Sequence, residues 1–216
     1  MARSPLPNRV HADGRLVASH TRGTLMGNRG GRFHDPETQT VTKRVPWASK
    51  QWISCVLQFK DRHRTVWTQG YTELFFLDEA TALSAGHRPC FECRRKDAKA
   101  FQSALFGACA DQESWESPPK VASMDALLHQ ARTSDAVRHR PVDQLPIGAM
   151  FEIDREFFAI TPVGTKRWTL AGYEEITDFD SATQVRVVTP APIVAALAEG
   201  YEPGWHTSGN RLPAGH

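Results

Sequence analysis

Cys90 and Cys93 stand two residues apart, with Arg88, Arg94 and Arg95 around them. A Cys-x-x-Cys pair lets both sulfurs point at one centre while the intervening amides fold round them, a spacing that recurs in tetrahedral zinc sites. Nearby positive charge favours thiolate over thiol. Zinc needs four ligands, so two more are sought elsewhere. Cys55 is the only cysteine upstream of the pair and is the natural third ligand. Its place on the apolar side of a strand equally suits a small buried hydrophobe. Among the histidines, His34 ends a glycine- and arginine-rich loop and is favoured as the fourth ligand, folding back onto the pair. His63 falls in a charged turn, and Cys109, near a helix end, is expected in the core or on the surface.

Two other chemistries share the spacing. Pro89-Cys90-Phe91-Glu92-Cys93 fits half of the zinc deaminase signature, but those enzymes also need an upstream His-x-Glu or Cys-x-Glu whose carboxylate moves the proton. No such triplet precedes Cys90. A thioredoxin-like dithiol opens a helix directly after a strand, and here a helix and a glycine turn intervene. Of the acids adjoining the pair, Asp78 is read as a helix N-cap and Glu79 as a solvated first-turn acid that suits the helix dipole. Glu73 is free to face the site.

The elements that must position these residues are legible nearby. Leu74 to Leu77 is a short apolar run suited to one buried strand. Asp78 then offers a side-chain acceptor where a helix begins, Ala80, Ala82, Leu83 and Ala85 continue it, and Gly86 ends it in the left-handed conformation. Trp52 to Phe59 alternates, with Ile53, Cys55, Leu57 and Phe59 on one side. It is read as a hairpin returning through Thr65 to Thr68.

The stretch from Leu74 to Arg95 resembles the metal-binding domain of the Ada DNA-repair proteins. A short strand, an alanine-rich helix with an acidic start, a glycine and an aromatic are followed there by Arg-Pro-Cys, two residues, Cys and Arg. Arg88-Pro89-Cys90 is the most specific part of the match. The resemblance implies zinc held by cysteines, and Cys90 and Cys93 map onto that set. In the Ada domain four cysteines bind zinc and one of the earlier two accepts a methyl group from a DNA phosphotriester. That earlier Cys-x-x-x-Cys pair is absent here, which leaves Cys55 as ligand and, if methyl transfer carries over, as acceptor. His87 occupies the aromatic position of the pattern and by resemblance does not ligate.

The rest of the chain divides by character. Residues 15–135 are expected to form an Ada-like zinc-knuckle α+β domain, a small antiparallel sheet with helices over Lys96 to Cys109 and around Met124 to Ala131. A charged boundary follows. Residues 145–200 are expected to form a small, mainly β domain from the runs Ala149–Ile153, Glu156–Thr161, Lys166–Leu170 and Val185–Val188, closed by a helix that starts near Pro192. Thr21 to His34 reads as a glycine- and arginine-rich loop able to present amides and guanidinium forks to an anion. It lacks the Gly-Lys-Ser/Thr ending of a P-loop.

The 216 residues carry a net charge of +2, with 40% hydrophobic and 23% charged residues, as in a soluble globular protein. No run is long enough to span a bilayer, and the first residues lack the apolar core of a secretory signal, so a cytoplasmic protein without membrane partners is expected. Positive charge gathers in the first third of the chain. Arg22, Arg29, Arg32, Arg62 and Arg64 are the candidate phosphate contacts, and Trp47, Trp52 and Trp67 are available for base stacking. Two functions are therefore expected. One is a zinc-binding protein that binds DNA or RNA and serves DNA repair or modification; the other is an enzyme on a small phosphorylated or nucleotide-like substrate, with zinc as scaffold.

Overall fold

The computed structural model describes residues 4–42, 44–60 and 65–211. The fold is α+β, and the described residues form two six-stranded sheets, mostly antiparallel, and four α-helices. The first sheet contains β1 (Arg9–Val10), β2 (Leu16–Val17), β3 (Leu25–Arg29), β4 (Trp52–Val56), β5 (Leu74–Phe76) and β6 (Arg88–Pro89), in the order β2-β1-β5-β3-β4-β6. β1 runs parallel to β5 and β4 parallel to β6; the other pairs are antiparallel.

β3 lies at the centre of this sheet, inside the stretch expected to be a loop. Its low apolar content hides it from a periodicity count, and Gly27 explains why. A Cβ there would stand 2.1 Å from the Ile53 carbonyl oxygen and 2.8 Å from the Phe76 ring, so only glycine lets the neighbouring strands close. The expected hairpin is not formed by the described residues. β4 pairs with β3 and β6 instead, and Thr65 to Thr68 is irregular. Trp67 has φ +57° there and is fully buried. Its amide donates to the Glu73 carboxylate (3.0 Å) and its indole N–H to the Glu73 carbonyl (2.8 Å), which hold the turn.

Helix α1 (Glu79–Ser84) starts where expected, Asp78 accepting from the Thr81 amide at 2.9 Å. Gly86 follows at φ +79°. α2 (Arg95–Glu113) outruns the expected helix by one turn at its end, and both it and α3 (Val121–Thr133) pack on the closing helix α4 (Ala191–Ala198).

The second sheet is antiparallel throughout: β7 (His139–Pro141), β8 (Met150–Ile153), β9 (Glu156–Thr161), β10 (Gly164–Thr169), β11 (Gly172–Ile176) and β12 (Gln184–Val187), in the order β11-β10-β9-β8-β12-β7. β7 falls in the charged stretch read as a boundary, and β11 escapes an apolar pattern because Glu174 and Glu175 interrupt it. Apolar clusters join residues on both sides of that stretch. Leu83, Phe101, Leu105, Met124 and Leu128 pack with Phe151, Phe158, Ile193 and Leu197, and Ala12, Leu77 and Ala80 with Met150, Phe157, Trp168 and Tyr173. Truncating one such fully buried side chain typically costs about 2–5 kcal/mol. No helix among the described residues is long and apolar enough to cross a membrane.

The segment after α4 is tied down over the start of α1. Tyr201 donates to Glu79 (2.6 Å), as does the Gly204 amide (2.9 Å), and the His206 amide and Tyr173 hydroxyl both donate to Asp78 (2.9 Å each). Glu79 is therefore buried, not a solvated first-turn acid. Burial pushes the Asp78 carboxyl up despite its four donors.

Candidate metal centre and its pocket

Parallel pairing of β4 with β6 brings the three cysteines together. Ile53 registers with Arg88 and Ser54 with Pro89, and the Cys90 amide donates to the Ser54 carbonyl at 3.0 Å. Cys55 therefore follows Ser54 beside Cys90. The chain turns at once, the Arg94 amide reaching back to the Cys90 carbonyl (2.9 Å), and Cys93 sits in that turn just before α2. The sulfurs of Cys55, Cys90 and Cys93 all lie within 4.8 Å of one another, and the trio could hold a metal ion.

The flanking arginines fix this turn. Arg88 is 1% exposed and grips Asp125 of α3 with two hydrogen bonds, 2.8 and 2.9 Å. Arg94 holds Glu79 (2.7 Å), Asp97 (2.8 Å) and the Ser54 hydroxyl (3.1 Å). Both charges are matched by carboxylates, so they brace the site more than they activate it. Cys90 is the thiol that ionises first. The Cys55 and Cys93 thiols donate to its sulfur, and backbone amides add to this, which together hold it far below the usual thiol range. Cys55 moves up, because its proton is held by Cys90 and then Cys93 and because it is buried. Cys93 also moves up: its contact with Cys55 acts the other way, but Cys90 and burial outweigh it. Crowding sets the three thiols against ionising together, and a bound cation favours the deprotonated form of all three.

The trio lines a cavity of about 450 Å³. Its floor is one face of the first sheet, bearing Met26, Asn28, Ile53 and Phe75; Glu73, just before β5, also lines it, with Leu57, Phe59, Val66, Tyr71 and Glu92 among the other walls. Glu73 is 2% exposed. Its Oε2 accepts from the Trp67 amide, while Oε1 is buried without a hydrogen-bond partner. Glu73 thus does face the site.

His34 lies elsewhere. Its Nδ1 bonds the Thr72 hydroxyl at 2.8 Å and its ring stacks on Trp67 at 5.1 Å. Those contacts hold its ring, and it is not among the side chains clustered with the cysteines. Cys109 is buried in the helical core. His87 is fully buried, accepts from Arg29 at 3.2 Å, and is held well below its ordinary range by burial and then by the charges of Arg29 and Arg132.

The candidate phosphate residues separate. Arg22 and Arg32 are exposed. Arg29 is 1% exposed, donates to the Gly14 carbonyl (2.7 Å) and lies 4.0 Å above the Trp52 ring, so its charge is spent inside the protein. Arg62, His63 and Arg64 lie outside the described residues. Trp52 is enclosed between Arg29 and Arg132, and Trp67 is fully buried, which removes both from base stacking; Trp47 is half-buried against Trp52 and His129. Sequence reading missed Met26 and Asn28 as cavity residues. Their only signal is the pairing of β3 with β4 and β5, which depends on contacts distant in sequence. Comparison of the chain with protein-family models, with curated proteins and with solved structures returns no match.

Proposed function

We propose that Cys55, Cys90 and Cys93 bind zinc and that this centre serves a small-molecule pocket, which makes the protein an enzyme rather than a zinc-stabilised scaffold. The observation that carries the reading is the position of three converging sulfurs on the wall of a cavity of about 450 Å³. Three soft thiolate donors suit zinc, and three protein ligands with one position left for a further donor are the pattern of catalytic rather than structural zinc. When bound, zinc supplies a Lewis acid to whatever occupies the pocket. The chain's own residues do the rest: Phe75 and Tyr71 enclose a ligand, and the free Glu73 oxygen accepts a hydrogen bond or a proton from it.

The Ada resemblance carries a second reading, zinc-dependent binding of nucleic acid in DNA repair. Exposed Arg22 and Arg32 favour it, while the burial of Arg29, Trp52 and Trp67 weighs against it. Elemental analysis with X-ray absorption at the zinc edge tests the first reading. One zinc per chain with three sulfurs and one lighter donor is expected, lost on replacing Cys90 and Cys93 together by Ser. A four-sulfur shell, or metal retained by that variant, overturns it.

A further inference from the structure

One row of side chains crosses four adjacent strands. Arg9 registers with Phe75, Phe75 with Met26, and Met26 with Cys55. Three strand spacings separate the ends, about 14 Å of backbone. A second cavity lies against the first. It is lined by Arg9, Ser19, His20 and Arg22, and it shares Leu57, Val66 and Phe75 with the cavity of the cysteines. The two form one groove along the sheet, cationic at one end and thiolate-lined at the other.

The cationic end is built without a counter-charge. Among the described residues no carboxylate is paired with Arg9 or Arg22. Arg9 is half-buried and held in place, donating to the Thr21 carbonyl and to Asn8 (2.6 Å), with its guanidinium 4.8 Å above the Phe75 ring. Burial and the nearby charge of Arg22 both lower its affinity for its own proton. Two guanidinium groups so placed are stabilised by a dianion, which they bind through forked hydrogen bonds. Between the ends, Met26 and the Phe75 ring, one face of which is taken by Arg9, offer an apolar floor, and Glu73 Oε1 lacks a donor among the described residues.

We propose that this groove binds a nucleoside monophosphate, with the phosphate at Arg9 and Arg22, the ring system over Phe75 and Met26, and a ring amine toward Glu73. This deepens the small-molecule reading by naming the ligand class, and it rests on that reading only for the chemistry at the cysteine end. The phosphate supplies the charge, the planar base matches the aromatic floor, and the distance from Arg9 to Cys55 suits one nucleotide rather than a polymer.

Calorimetric titration of the zinc-loaded protein with adenosine 5′-monophosphate, adenosine and inorganic phosphate tests the proposal. The monophosphate is expected to bind at least tenfold more tightly than adenosine or phosphate, with an advantage that shrinks as salt rises. Arg22→Glu should erase the advantage, while Arg32→Glu, also exposed but not lining either cavity, should keep it. Equal binding of monophosphate and adenosine, or equal losses in the two variants, overturns the proposal. So does a single-stranded oligonucleotide that binds more tightly than the monophosphate with the same dependence on Arg22, since the groove would then serve a polymer. Repeating the titration on Cys90→Ser/Cys93→Ser separates the two readings. Phosphate-dependent binding that survives in that zinc-free variant, and in wild-type protein stripped of metal, shows that the groove assignment stands whatever becomes of the metal reading.

Discussion

Arg88→Met tests whether the brace behind the cysteines is structural. The guanidinium makes two hydrogen bonds to Asp125, at 2.8 and 2.9 Å, and a third to the Pro89 carbonyl at 3.0 Å. The two side chains are 1% and 8% exposed, so bulk solvent does not solvate the lost partner. Methionine fills most of the volume but leaves the Asp125 carboxylate buried and unpaired, which costs about 3–5 kcal/mol. At about 2–4 °C of melting temperature per kcal/mol for a chain of this size, the midpoint should fall by roughly 6–20 °C. The loss should reach the cysteines, because Arg88 registers with Ile53 two residues before Cys55 and lies two before Cys90. Zinc affinity should therefore weaken in the same variant although no donor atom is removed. Thermal melts followed by circular dichroism, with and without zinc, read both effects. Arg88→Met/Asp125→Leu removes the orphaned charge and should regain most of the stability. A single variant that melts within about 2 °C of the wild type, or a double variant no better than the single, refutes the reasoning.

Gly27→Ala should destabilise the first sheet by about 1–3 kcal/mol, because the new Cβ meets the Ile53 carbonyl at 2.1 Å; an unchanged denaturant midpoint would contradict that packing. Asp13 is pushed up by burial but pulled down further by hydrogen bonds to His11, to the Arg15 amide and to the Arg15 side chain, ending at about 2. A carboxyl with a depressed folded pKa stabilises above its unfolded value and loses that stability as pH falls through the folded one. Asp13→Asn should accordingly cost about 1–2 kcal/mol at neutral pH, allowing for solvent screening, and should flatten the stability profile between about pH 4 and pH 2; a parallel profile in acid titrations would sink this. Trp168→Phe removes the indole donor to Thr81 (2.9 Å) and leaves that buried hydroxyl one partner fewer, for a loss of about 1–3 kcal/mol in chemical denaturation; wild-type stability would show that the bond between the sheet and α1 carries no weight.

Local chemistry made part of this protein legible from the chain alone. The strand at Leu74, the Asp78 cap, the turn at Gly86 and the Cys90–Cys93 pair depend on residues a few positions apart, and each stands where expected. The alternating runs of the second sheet were visible for the same reason. Cys55 could be named as the missing thiol, but only the parallel pairing of Trp52–Val56 with Arg88–Pro89 carries it to the pair. Side-chain fate was less legible, because an arginine's sequence neighbours do not reveal whether it faces water. Arg29 and Arg22 sit in the same basic stretch, yet one is enclosed against Trp52 and His87 and the other lines an open groove. The central strand at Leu25–Arg29 was hidden because its stability comes from two neighbouring strands and from the space Gly27 leaves, not from its own apolar pattern. Spacing along the chain thus determines which groups can share a turn. Which distant groups share a groove is decided by strand pairing, since a backbone hydrogen bond is blind to the side chains it brings side by side.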